Sequence, residues 1–130
     1  MKQEDKDILL KDLSARLSYG VKISIPDLWS QKREVEKLDE IFYGDDGLCR
    51  VNSKCQCIEH IKPYLFSLSS ITDEQKEKYV SLQQRVIYNS QGLVNLDVMK
   101  YTDWCYKHHI DINGLIPMGL ANDATGKNIY

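Results

Sequence analysis

A chain of 130 residues with a formal net charge of -2, 42% apolar and 28% charged residues, is long enough for one hydrophobic core without metal or disulfide support. It lies away from the low-hydropathy, high-charge compositions that stay disordered. Charges alternate finely, as in KQEDKD, QKREVEKLDE and TDEQKEK, and the lack of a basic stripe argues against binding nucleic acid through its phosphates. The opening MKQEDKDILLKDL has no apolar run of the kind a secretory signal needs, and no segment approaches the ~20 apolar residues of a membrane span, so a cytoplasmic protein without membrane contact is expected.

Asp5 to Ser18 reads as an amphipathic helix, with Leu9, Leu10, Leu13 and Leu17 at helical spacing. Gly20 stands where a left-handed residue ends a helix cheaply. Val21 to Ile25 then alternates apolar and polar as a half-buried strand does, and Pro26 ends or edges it. Residues 27–40 fit a helix through Val35, Leu38 and Phe42 or a strand. Gly44-Asp45-Asp46-Gly47, between IFY and LCRV, has hairpin composition and favours strands on both sides. From Leu48 to Cys57 the apolar residues Cys49, Val51, Cys55 and Cys57 fall on odd positions, which is strand periodicity, and Asn52-Ser53-Lys54 can form a second tight turn.

Ile58 to Leu68, interrupted by Pro63, reads as an edge strand or extended connection. Thr72 followed by Gln75 has the form of a capping box, with Asp73 and Glu74 in the first turn. Tyr79, Val80, Leu82, Val86 and Ile87 supply the buried stripe of that helix. A last helix runs from about Asn95 to His109, with Val98, Tyr101 and Cys105 on one face, and the tail from about Asn122 reads as loosely held. Strands followed by helices define a single α+β domain over 1–130: a small antiparallel sheet of three or four strands from Val21 to about Leu65, packed with an N-terminal helix and two C-terminal helices.

The segments LKDLSARLSYGVK, IKPYLFSLSSITDEQ and DWCYKHHIDINGLIPMGLA resemble a family of small uncharacterised proteins from Bacteroides and their prophages. The matching blocks are Leu13 to Lys22, Lys62 to Thr72 and His108 to Ile116, roughly a third of the chain. The resemblance implies a phage or mobile-element setting. It carries no activity and no catalytic residue, and the stretch from Pro26 to Cys57 lies outside it.

Chemistry-bearing residues concentrate between Leu96 and Leu115. Cys55, Cys57, His60, Cys105 and His108 include soft zinc ligands. However, the one-residue gap of Cys55 and Cys57 on a strand sets their side chains too far apart for the bent knuckle that zinc sulfurs require. With no export signal, the four cysteines are expected to be free thiols. Cys105 lies one turn from His109, with Asp103 or Asp111 available to orient an imidazole. It falls on an apolar face near a helix C-terminus, where the dipole disfavours a thiolate and instead suits His108 or His109 as a cation. Thr125-Gly126-Lys127 lacks the glycine, hydroxyl and following helix of a phosphate loop.

No catalytic residue, metal ligand or cofactor is therefore assigned. Eight tyrosines and two tryptophans leave protein binding as the preferred role, because Trp and Tyr dominate interface energetics. The expected surface contains Trp29, Tyr101, Trp104, His108 and His109, with an unidentified protein partner. The function expected is that of a non-enzymatic accessory or interaction protein. The alternative is a small enzyme or metal-binding protein using Asp103, Cys105, His108, His109 and Asp111.

Overall fold

A computed structural model describes residues 1–26, 32–44, 48–88 and 95–130, with the backbone alone at 48, 55, 56, 87, 88, 95 and 96. Leu9 and Leu13 stand one turn apart on helix α1 (Gln3–Arg16) and are fully buried. The chain tightens into a 3-10 turn over Leu17–Tyr19, and Gly20 at φ 70° ends it in the left-handed conformation that glycine adopts without steric cost.

Strand β1 (Lys22–Pro26) follows, with Ile23, Ser24 and Ile25 all buried, so it is covered on both faces where alternation alone predicts one. Ser24 tolerates this because its hydroxyl accepts a 3.1 Å hydrogen bond from Arg33. Strands β2 (Arg33–Lys37), β3 (Ile41–Tyr43), β4 (Leu48–Val51) and β5 (Lys54–Cys57) come next. The ambiguous region therefore holds a strand, not a helix, over Arg33–Lys37, and β3 and β4 pair antiparallel as the composition of the connection predicts, 45–47 lying outside the described residues. Asn52 and Ser53, at φ 50° and 66°, form the second tight turn, because two successive left-handed residues match the twist of a hairpin. The Asn52 carboxamide also accepts from the N–H of Asp39 at 2.7 Å and donates to the carbonyl of Lys37 at 2.7 Å. It thereby fastens the β4–β5 turn to the exit of β2.

Strand β6 (Lys62–Leu65) and the short β7 (Asn122–Asp123) complete two sheets. One has the order β2-β1-β6-β7, with β6 and β7 parallel; the other is the antiparallel meander β3-β4-β5. The α+β class holds, but the single antiparallel sheet is replaced by a mixed four-stranded sheet and a separate three-stranded one. Pro63 lies in an interior strand, not an edge. It is tolerated because β7 begins only opposite Tyr64, so the residue without an N–H has no ladder partner there.

The tail is not loosely held. Beyond β7, Ala124 donates its N–H to Leu65 O at 2.8 Å. The Tyr130 hydroxyl donates to Tyr64 O at 2.7 Å and accepts from Lys22 N at 2.8 Å. No composition signal marks this, since the pairing partners lie more than fifty residues away.

Thr72 and Gln75 make both hydrogen bonds of the capping box, each 3.1 Å, at the start of α2 (Asp73–Tyr88). Leu82 is buried on α2, whereas Val80 is 46% exposed; on α3 (Asn95–Lys107) Cys105 is buried and Val98 is also 46% exposed. The apolar stripes are narrower than periodicity suggests, because only one face of each helix meets the other. Among the described residues no helix is long and apolar enough to cross a membrane.

Two apolar clusters result. The larger joins Leu9, Leu13, Val21, Ile23, Ile25, Leu65 and Leu115, and the smaller joins Ile71, Cys105 and Ile110 with Phe66, Tyr101 and Trp104 around them. An ion pair bridges the two. Arg16, with 0% of its surface exposed, grips Asp12, 1% exposed, through Nε at 2.7 Å and Nη2 at 3.3 Å. Nη2 also donates to Ile110 O at 2.7 Å. The guanidinium lies 4.7 Å from the Tyr106 ring, and Asn113 donates to the second Asp12 oxygen at 2.9 Å. Removing one member of such a pair leaves a buried charge uncompensated, at a cost of about 3–5 kcal/mol. Asp12→Ala is therefore expected to lower the free energy of unfolding, measured by urea denaturation, by that order. The double change Asp12→Leu with Arg16→Met is expected to recover most of the loss, and equal stability of Asp12→Ala and the native chain would refute this role.

Candidate functional site

The last turn of α3 leaves the helix through a left-handed residue. His109 N–H bonds to Tyr106 O at 3.0 Å and Ile110 N–H to Cys105 O at 2.9 Å, with His109 at φ 58°. These two bonds define a Schellman stop, and the buried side chains of Cys105 and Ile110 make its usual hydrophobic contact. Glycine is the ordinary occupant of the left-handed position; a histidine there carries a backbone cost. Its ring stacks on Tyr130 at 3.8 Å between centroids and 12° between planes, so the strained residue anchors the tail.

Burial, with the positive charges of Arg16, His108 and Lys22 around it, lowers the His109 pKa to about 4. Protonation would also charge a ring whose Nδ1 is buried with no hydrogen-bond partner among the described residues. Burial and neighbouring Lys107 lower His108 as well. Neither histidine is the helix-end cation that the dipole argument predicts, because desolvation and adjacent cations outweigh the last carbonyls.

The remaining groups of the cluster serve different surroundings. Cys105 is fully buried, and burial pushes its thiol up to about 11 although Arg16 pulls the other way, the opposite of an activated nucleophile. Asp111, 7% exposed, accepts the N–H groups of Leu115 at 2.8 Å and Ile116 at 2.9 Å and so holds the next turn together. Asp103 is exposed on α3, where it lines a depression with Lys100, Trp104 and Lys107. Asp103, Cys105, His108, His109 and Asp111 do not converge on a common point. Among the described residues no group of three or more His, Cys, Asp or Glu could hold a metal ion. Cys57 is half-buried and His60 exposed, while the side chain of Cys55 lies outside the described residues.

Concavity lies between α2 and α3. A groove of about 700 Å³ opens over Trp104 and His108, with Thr72, Glu74, Gln75, Glu77, Lys78 and Ser81 along its other wall. The Trp104 and His108 rings lie 4.7 Å apart. Behind them the Tyr101 hydroxyl donates to that of Tyr79 at 3.1 Å, with the two rings 5.6 Å apart. Burial and this bond push the Tyr101 pKa well up, keeping the phenol neutral.

Of the five predicted surface residues, Trp104 and His108 share this groove, Tyr101 braces it from behind, and His109 faces the tail. Trp29 lies outside the described residues. Arg16, Asp12 and Tyr130 were not among the predicted residues. The one local signal was the four-residue spacing of Asp12 and Arg16 within the leucine stripe of α1. In comparisons with protein-family models, curated proteins and solved structures, none matches this chain.

The lowered His109 pKa has a definite sign. Since the unfolded imidazole titrates near 6.5 and the folded one at about 4, the unfolded chain binds more protons between those values. Stability present above pH ~6.5 is thus lost as pH falls towards ~4. His109→Asn, which tolerates the left-handed backbone, is expected to flatten that part of the stability curve measured by urea unfolding at successive pH values. An identical slope in the variant would refute the assignment. Cys105 is expected to react with iodoacetamide only after unfolding, as read by peptide mass spectrometry; rapid labelling of the native protein would contradict its burial.

Proposed function

We propose that this protein is a non-catalytic interaction module that binds a partner protein through the groove between α2 and α3. The observation that carries this reading is the groove itself: Trp104 and His108 form an aromatic floor, and Gln75, Glu77, Lys78 and Ser81 supply a polar rim. An aromatic anchor surrounded by polar groups is the arrangement that concentrates binding energy at protein interfaces. On α2, Val80 is 46% exposed and lines a neighbouring depression with Glu77 and Ser81, which adds apolar surface beside the groove. The commitment of Asp111, His109 and Cys105 to structural roles supports binding over catalysis.

The setting we propose is accessory, within a phage or mobile element. It rests on the resemblance carried by Leu13 to Lys22, Lys62 to Thr72 and His108 to Ile116.

Affinity capture with the full chain, compared with Trp104→Ala and Ser81→Tyr, tests the groove. Ser81 is exposed, so tyrosine there fills the groove without entering the core. Both variants are expected to lose the captured partner by at least ~10-fold, equivalent to about 1.4 kcal/mol, with circular dichroism unchanged for Ser81→Tyr. Undiminished capture by Ser81→Tyr would refute the groove as the binding surface.

A further inference from the structure

Beside the Trp104 groove lies a second depression of about 340 Å³, lined by Lys78 and Arg85 from α2 and Lys100 and Lys107 from α3, with Asp103 as its one carboxylate. Seven residues are about two helical turns, or ~10 Å, so the two cations of each helix stand on one face at similar separation. All four are exposed, and among the described residues none takes part in an ion pair. Four cations against one carboxylate leave the depression net positive, a repulsion that Asp103 offsets only in part.

Charges that alternate along the sequence are sorted in space. Glu74 and Glu77 line the first groove, Arg85, Lys100 and Lys107 line the second depression, and Lys78 and Trp104 line both.

We propose that this basic depression receives a short acidic segment of the partner protein, its carboxylates spread over ~10 Å and its neighbouring apolar residue meeting Trp104. The inference deepens the interaction reading and rests on it. A protein segment suits the surface better than nucleic acid. A phosphate backbone carries charge without interruption and would run on from the cations to Glu74 and Glu77, whereas an acidic cluster can end where the cations end.

The probes are a synthetic peptide of about fourteen residues with four consecutive Asp or Glu beside a Leu, the same peptide with Lys at those four positions, and a dT12 oligonucleotide. Each is titrated into the ¹⁵N-labelled full chain. The acidic peptide is expected to shift the amide signals of Lys78 to Arg85 and Lys100 to Lys107 together with the Trp104 indole. Its affinity should fall about tenfold between ~50 and ~300 mM salt. The exposed variant K78Q/R85Q/K100Q/K107Q is expected to abolish those shifts while keeping the native spectrum elsewhere. Absence of shifts with the acidic peptide, equal binding of the Lys peptide, or tighter binding of dT12 would overturn the proposal. If the four-Gln variant still captures the partner that Ser81→Tyr loses, the acidic-segment inference fails and the groove reading stands. If both variants capture it fully, both readings fail.

Discussion

The buried pair of Arg16 and Asp12 is the constraint on which the arrangement depends. A guanidinium with no exposed surface has to find its partners inside the protein, and here they come from three places: Asp12 on its own helix, the Ile110 carbonyl after α3, and the face of Tyr106. A paired charge in the interior adds little net stability over a well-packed apolar substitute, but it penalises any packing that separates the partners. The pair therefore sets where α1 meets the exit of α3. Through that exit it sets the position of Trp104 and His108 against α2.

Around this node the polar residues of the last third of the chain are committed to structure. His109 occupies the left-handed stop and carries Tyr130, Asp111 closes the turn to Leu115 and Ile116, and Cys105 fills the smaller cluster. The two hydrogen bonds of Asp111 keep a buried carboxylate from being left unpaired, which is the costly outcome in an interior. What faces outward is a different set: Trp104, His108 and the charged walls of α2 and α3. The proposed binding role rests on this division between inward structural groups and outward-facing ones.

Local signals in the sequence led to correct local structures. The leucine spacing of α1, Gly20, the tight turn at Asn52 and the capping box from Thr72 to Gln75 all depend on contacts within a few residues, and each forms as its composition predicts. Long-range pairings were illegible. Nothing near Asn122 marks it as a parallel partner of Tyr64, and nothing near Tyr130 foretells a stack on His109.

The site was half legible for the same reason. Trp104 and His108 stand out by residue type, but the histidines' charge state depends on burial by distant segments. The segregation of Lys78, Arg85, Lys100 and Lys107 appears only when two helices with balanced compositions lie side by side. Asp12 and Arg16 have the i,i+4 spacing of charge pairs that usually lie on a helix surface. Their placement on the leucine-bearing arc was the clue.

The claim that the α2–α3 face is where this protein meets its partner is tested most directly by hydroxyl-radical footprinting of the chain alone and in complex. Trp104 and His108 should become protected while Phe42 and Tyr43 on β3 keep their reactivity. Protection of Phe42 and Tyr43 with Trp104 unchanged would contradict the account.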